Sequence, residues 1–338
     1  MKSIKLQIAA FLMALTFVVS CKKEETQLSE EQILVRATPE EFANLKAGAL
    51  EGKIQEFQFD ASITSVFTTE KGVHIVMYGS CLTKNGNPVT GMVDVKVVEL
   101  FERGGMLTSN KPTMGMMPNG DMALLISGGE FFINATHEGD QLDLDCNMQV
   151  VIPTDLTWVA DTEMTLWHGR GRDNDCDGIE NDCDGNVWEE VENGGQPEQV
   201  DAVQGDNGEN YVTAFGEFGW TNVDKFFSDQ RPKTTLLVDV PDGFDHTNSS
   251  VYISYNGEPN ALGNLDTYIE SSELFSEHYG QIPIGLECNI IFVSEDNGNW
   301  LYAIKSATIV DGETIVILVT DLSTATSSDL ETLVNNLP

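Results

Sequence analysis

Between Asp173 and Gly185 the chain reads Asp-Asn-Asp-Cys-Asp-Gly-Ile-Glu-Asn-Asp-Cys-Asp-Gly. A hard cation such as calcium takes about six to eight oxygen ligands, and a short loop supplies them by alternating its donors and turning sharply at a glycine. Asp173, Asp175 and Asp177 give the alternation and Gly178 the turn. Ile179, through its backbone carbonyl, with Asn181, Asp182 and Asp184 fall at the later ligand positions, and Asp184 stands where a longer Glu is usual. Cys176 and Cys183 lie inside the same loop; outside the cytosol a disulfide between them would restrict a segment whose carboxylates repel one another. Zinc is a poorer match, because no histidine or further cysteine lies near them. The plain alternative is an acidic, solvated loop that binds nothing.

The Asp-x-Asp-x-Asp-Gly core resembles the opening of an EF-hand loop and the aspartate-rich calcium repeats of the thrombospondin type 3 class. No flanking helices suit a paired EF-hand, so the repeat-like loop is the closer comparison. A second chemical position stands near the start of the chain. Met1 to Lys5 is basic, Leu6 to Val19 is apolar and of signal-peptide length, and Val18-Val19-Ser20-Cys21 follows, which resembles a bacterial lipobox. That resemblance implies removal of residues 1–20 and lipidation of Cys21, with a second acyl chain such as palmitate making the anchoring stable. Cys21-Lys22-Lys23-Glu24-Glu25 is similar to the charged tether of Bacteroidetes-type surface lipoproteins, which implies the outer membrane and its outer face.

The remaining chain must position these groups. Thr38, Pro39 and Glu41 predict a short capped helix over 38–49. From about residue 54 the periodicity becomes that of strands, most regularly in Met92-Val93-Asp94-Val95-Lys96-Val97-Val98-Glu99-Leu100. Met122 to Ile126 and Glu130 to Thr136 read as two strands with a tight turn at Ser127-Gly128-Gly129. Residues 173–209 contain many carboxylates and no Lys or Arg, which predicts an exposed insertion. Further strands are expected from Thr234 to Leu318, with Ser271 to Tyr279 as a short helix or irregular crossover.

The expected fold is mainly β: two beta-sandwich-like domains joined by an acidic calcium-loop insertion. Its divisions are a signal peptide over 1–20, a flexible tether and short helix over 21–49, a first domain over 50–168, and the acidic loop and linker over 169–210. A second β-rich domain follows over 211–320, then a tail over 321–338. Val95 to Leu100, Met106 to Thr113 and Leu124 to Phe131 resemble sandwich modules that recur in Bacteroidetes-type outer-membrane lipoproteins, which implies an extracellular scaffold.

With 18 Lys or Arg against 54 Asp or Glu, the net charge of -36 repels nucleic acid. No Gly-x-Ser-x-Gly elbow, phosphate loop or dinucleotide fingerprint occurs, and the five histidines form no spaced metal motif. The expected function is therefore a lipid-anchored, noncatalytic surface protein that contacts an envelope protein or glycan. The alternatives are a carbohydrate-binding accessory lipoprotein and a surface hydrolase with a dispersed active site. Trp220 and Arg231 are the candidate ligand contacts, although clustered aromatics more commonly fill a β core. Cys81 and Cys146 could pair across the first domain and leave Cys288 as a buried thiol; their spacing does not fix that pairing.

Overall fold

Thr38 opens the first helix, α1 (Pro39–Glu51), in a computed structural model that describes residues 36–157, 160–170, 187–205 and 208–338. The Thr38 hydroxyl accepts from the Glu41 amide at 3.2 Å, and the Glu41 carboxylate accepts from the Thr38 amide at 2.8 Å. This reciprocal cap satisfies two amides that a helix start leaves unpaired. Phe42 and Leu50 bury the inner face of α1.

The chain is mainly β, and its largest sheet organises the rest. In order across that sheet lie Gln55–Asp60, Met92–Leu100, Met122–His137, Gly219–Phe226, Thr165–Arg170, Val187–Glu190 and Met114–Met116. Met114–Met116 also pairs with the start of Met122–His137, Met114 opposite Leu124, so the last five of these strands close into a small barrel.

Both faces of this sheet are covered. On one side Val95, Val97, Phe131, Ile133 and Val223 meet Ile75, Met77, Val150, Ile152 and Phe215. The latter residues belong to a second sheet, ordered Asp201–Gly205, Gly208–Phe215, Met148–Pro153, His74–Tyr78 and Thr64–Thr68. On the other side Val98, Phe132, Trp167, Trp188 and Trp220 share a core with Tyr252, Ile291 and Trp300 of a third sheet. The helices α1, α2 (Arg103–Thr108) and α3 (Ser327–Asn335) contribute Phe42, Leu107, Leu330 and Val334 to that same core. A sheet buried on both faces tends to read as a continuous apolar run, which is how Met122–His137 reads.

Three expectations differ from the structure. Residues 208–226, across the expected domain boundary at 211, complete the first two sheets: Gly208–Phe215 pairs with Met148–Pro153, and Gly219–Phe226 pairs with Met122–His137. The sheets therefore are not divided between two sandwich domains, and Arg36–Pro338 forms one unit. Ser127-Gly128-Gly129 is not a hairpin turn but the middle of one 16-residue strand. A Cβ on Gly128 would lie 2.9 Å from the Val223 carbonyl oxygen, and one on Gly129 would lie 2.6 Å from the Phe101 ring. Gly129 has φ +132°, and the pairing register slips opposite it between Asn222 and Asp224. The glycines thus admit a bulge and a close approach, as glycines inside strands commonly do. Third, most of Ser271 to Tyr279 joins the strand Leu274–Pro283, whose long pairing with Lys233–Asp239 outweighs a weak local preference.

The tail is also ordered. Thr326 caps α3 by accepting from the Asp329 amide at 3.2 Å. Arg103, wholly buried at the start of α2, holds the far end of α3. Its Nε donates to the Val334 carbonyl at 3.0 Å, Nη1 to Ser254 Oγ at 2.7 Å, and Nη2 to the Leu337 carbonyl. Both Nη atoms also reach the Pro338 carbonyl at 3.3 Å. Beside it, Thr108 Oγ1 and Lys53 Nζ converge on the Glu331 carboxylate.

Cys81 and Cys146 form a disulfide with Cα atoms 5.4 Å apart. It adjoins a short pairing in which Asp143 and Leu144 face Thr83 and Leu82. Cys288 is a buried free thiol whose pKa burial pushes up to about 12, so it is not poised as a nucleophile.

Candidate functional site

The positions expected to ligate calcium, Asp173, Asp175, Asp177, Ile179, Asn181, Asp182 and Asp184, with Cys176 and Cys183, lie outside the described residues, as does Cys21. Among the described residues no group of three or more His, Cys, Asp or Glu side chains is placed to hold a metal ion. What is described is the frame that carries the loop. Thr165–Arg170 and Val187–Glu190 pair antiparallel, with Arg170 opposite Val187 and Gly169 opposite Trp188. The acidic motif thus links neighbouring strands of the barrel.

Beneath this frame runs a buried polar seam. Trp188 is fully buried and its Nε1 donates to the Pro112 carbonyl at 3.0 Å; the Trp167 Nε1 donates to the Asp224 carbonyl at the same distance. Strand register places Glu130 opposite Asn222, and Asn222 opposite Trp167 on its other side. Side chains two residues apart on a strand share a face, so Asp224 joins them. The Gly129 amide donates to Ser127 Oγ at 3.0 Å, Ser127 Oγ donates to Asn222 Oδ1 at 3.0 Å, and Asn222 Nδ2 donates to Asp224 Oδ2 at 2.5 Å. Lys111 Nζ lies 4.9 Å from the centre of the Trp220 ring, a cation–π contact.

This seam contains two carboxyls with no exposure at all. Among the described residues, neither oxygen of Glu130, nor Asp224 Oδ1, has a hydrogen-bond partner. Burial raises the pKa of Glu130 well above the usual range, Asp224 adds to the rise, and Lys111 opposes it. Burial likewise raises Asp224 well above its ordinary value. Burial lowers Lys111 to about 8, against the pull of Glu130. A desolvated carboxyl keeps its proton because the charged form loses hydration, and a neighbouring carboxylate strengthens the effect. The cluster can therefore retain protons inside the fold, whereas acid–base catalysis needs the proton within reach of a substrate.

A pH dependence follows from the raised values. The folded chain holds protons on Asp224 and Glu130 that the unfolded chain releases, so their contribution is fullest below the unfolded carboxylate range and fades as pH rises through the folded values. Asp224→Asn keeps an acceptor for Asn222 and cannot ionise. Compared by urea unfolding at pH 5 and pH 8, it should gain about 1–3 kcal/mol on wild type at the higher pH and much less at the lower. Parallel pH curves for the two proteins would exclude this origin.

The other candidate residues are separated by role. Trp220 is only 4% exposed, its ring 5.4 Å from that of Phe132, so it packs the core. Arg231 is at the surface, where Nε and Nη2 grip both oxygens of Asp229 at 2.5–3.0 Å. The His74, His137 and His278 rings engage Thr68, the Met92 carbonyl and Thr267, each separately. Glu130, Asp224 and Arg103 were not singled out by sequence reasoning. The readable signal was a charged residue within an apolar strand run, as in Gly-Glu130-Phe-Phe-Ile.

Compared with protein families, curated proteins and solved structures, the chain matches none.

Proposed function

We propose that the protein is a lipid-anchored, noncatalytic protein of the cell surface, whose acidic loop binds a structural calcium ion and which contacts another envelope or extracellular macromolecule. The observation that carries the reading is the Cys81–Cys146 disulfide, because such bonds persist in oxidising compartments and are rare in the cytosol. It agrees with the apolar leader and the lipobox-like Val18-Val19-Ser20-Cys21. In this reading β-sandwich layers form the scaffold and the calcium loop projects from it. Asp173, Asp175, Asp177 and Asp184 would ligate through carboxylates, Asn181 through its amide and Ile179 through its carbonyl. Calcium would relieve the repulsion among the loop's aspartates and tighten the connection between Arg170 and Val187.

Calorimetric titration of the nonlipidated chain with calcium tests the metal site. Saturable binding at about 0.1–1 mM is expected, as for extracellular calcium modules, and the Asp175→Asn, Asp177→Asn double variant should bind far more weakly. A near-ultraviolet signal from tryptophan should change in parallel, because Trp188 stands one rung beyond the Arg170–Val187 pair that borders the loop. No binding at millimolar calcium would reject the metal site. Mass spectrometry of the N-terminal peptide tests the anchor separately, an unmodified Cys21 in processed protein being the adverse result.

A further inference from the structure

The strand Leu274–Pro283 leaves its partner for a short excursion. Leu236 faces Glu277 and Thr234 faces Ile282, so Thr235 alone on one strand stands against His278, Tyr279, Gly280 and Gln281 on the other. Side chains tie the excursion to the chain ahead of Thr267–Ile269. The Tyr279 hydroxyl donates to Asp266 Oδ2 at 2.9 Å, and the His278 ring, its centre 3.9 Å from that of Tyr279, engages Thr267 Oγ1 at 2.9 Å. Gly280 has φ +72°. Successive amides about a residue in this left-handed conformation form a concavity that suits an anion.

Glu277 stands at the root of the excursion. It is 1% exposed, and among the described residues neither of its oxygens makes a hydrogen bond. Burial is the main cause lifting its pKa to about 7; the amides of Gln281, Gly280 and Tyr279 favour the charged form, and Asp266 opposes it. The carboxyl borders a cavity where strands of three sheets meet, lined by Leu124, Ile253, Tyr255, Asn264 and Ile282, with about 10 Å³ for the centre of a water. That is room for about one water. Around Glu277, the third sheet brings Tyr255 and Cys288, both held neutral because burial raises them. The facing strand brings Lys233, whose Nζ donates to Gln281 Oε1 at 3.2 Å, and Asp239 at its far end opposite Leu274. Tyr268, opposite Phe275, is also raised by burial, and Met122 and Leu124 of the largest sheet bring no charge.

This element has two arrangements available to it. A protonated Glu277 needs no anion site, and its hydroxyl can donate to a water in the cavity. An ionised Glu277 at the same depth must gain donors, and the amides of Tyr279, Gly280 and Gln281 are in place to supply them, because the ladder pairing with Lys233–Asp239 lapses over the excursion.

We propose that the excursion from His278 to Gln281 is a proton-operated clasp, relaxed over a protonated Glu277 and closing its amides on the carboxylate when the proton leaves. Closure carries the His278 and Tyr279 rings with it, so the change is displayed at the surface, where His278 is exposed. The clasp depends on neither the lipid anchor nor the calcium loop. The folded carboxyl titrates above its ordinary 4.5, so the stability it contributes is fullest below that value and fades as pH rises through about 7; closure limits the loss.

Amide NMR of the whole chain between pH 5 and pH 8.5 tests the proposal. The Gly280 and Gln281 amide signals should move downfield with a midpoint near pH 7. Their exchange with solvent, corrected for its intrinsic pH dependence, should slow about tenfold across the same range, as a charge-assisted hydrogen bond forms. A folded Glu277→Gln chain should show neither change. Imidazoles as a class change charge at these pH values, so His278→Gln is the control, and the transition should survive it. Should Glu277→Gln fail to fold, Asp266→Asn provides the reading: it removes a neighbouring negative charge, keeps an acceptor for Tyr279, and should move the midpoint to lower pH. Static amide signals, the same transition in a folded Glu277→Gln chain, its disappearance in His278→Gln, or an unmoved midpoint in Asp266→Asn would overturn the proposal.

Discussion

Replacing Arg103 by Met should cost about 3–5 kcal/mol of folding stability, near the upper end for a single substitution. The Arg103 guanidinium serves the carbonyls of Val334, Leu337 and Pro338 and the Ser254 hydroxyl, all from a fully buried position. Methionine fills similar volume but leaves these acceptors unpaired, and each buried unpaired group costs about 1–3 kcal/mol. Arg103→Lys should recover little, because one ammonium cannot span the fork. The loss should begin locally: hydrogen exchange over residues 327–335 should accelerate more than over Glu287–Asp296. Gly104→Ala provides an independent check on the same interface, since the added Cβ would lie 2.5 Å from the Glu331 carbonyl oxygen. A folded Arg103→Met chain within about 1 kcal/mol of wild type would show that water satisfies those carbonyls.

Removing the Cys81–Cys146 bond by the double substitution to Ser should lower stability by about 4 kcal/mol on a chain-entropy argument, given the long loop it closes. The two cysteines are 65 residues apart in sequence, yet their surroundings are already paired: Asp145 donates its amide to the Cys81 carbonyl at 2.8 Å. The native state should therefore change little, and most of the loss should arise from the freer unfolded chain. Denaturant unfolding of the double variant against wild type measures it. A loss below about 1 kcal/mol would mean that the unfolded chain remains ordered around this link.

How much of this was legible depends on where each element finds its partners. The cap at Thr38 and the alternation of Met92–Leu100 are local, and both are read directly from the sequence. The continuity of Met122–His137 was not, because Gly128 and Gly129 face Val223 and Phe101, neither of them a local neighbour. Arg103 looks like an ordinary surface arginine until α3, more than 200 residues later, covers it. For α3 itself the signal was present: Thr326 and Asp329 before Leu330, Leu333 and Val334 form a capped apolar stripe. The buried placement of Glu130 and Asp224 follows from a sheet covered on both faces, which strand periodicity alone cannot reveal.

The closure of strands into a barrel also limits self-association. An open sheet ends in a row of unpaired amides and carbonyls that another chain can extend, a common route to aggregates. Here Val187–Glu190 and Met114–Met116 pair with each other instead of forming a second free border. Among the described residues, the long border that remains on this sheet, besides the two-residue strand Asp140–Gln141, is Gln55–Asp60, where Glu56, Gln58 and Asp60 are exposed. An incoming strand would have to meet carboxylates there, on a molecule that already repels its own copies through a net charge of -36. Growth of this sheet from chain to chain is thus blocked on one side by strand pairing within the chain and opposed on the other by charge.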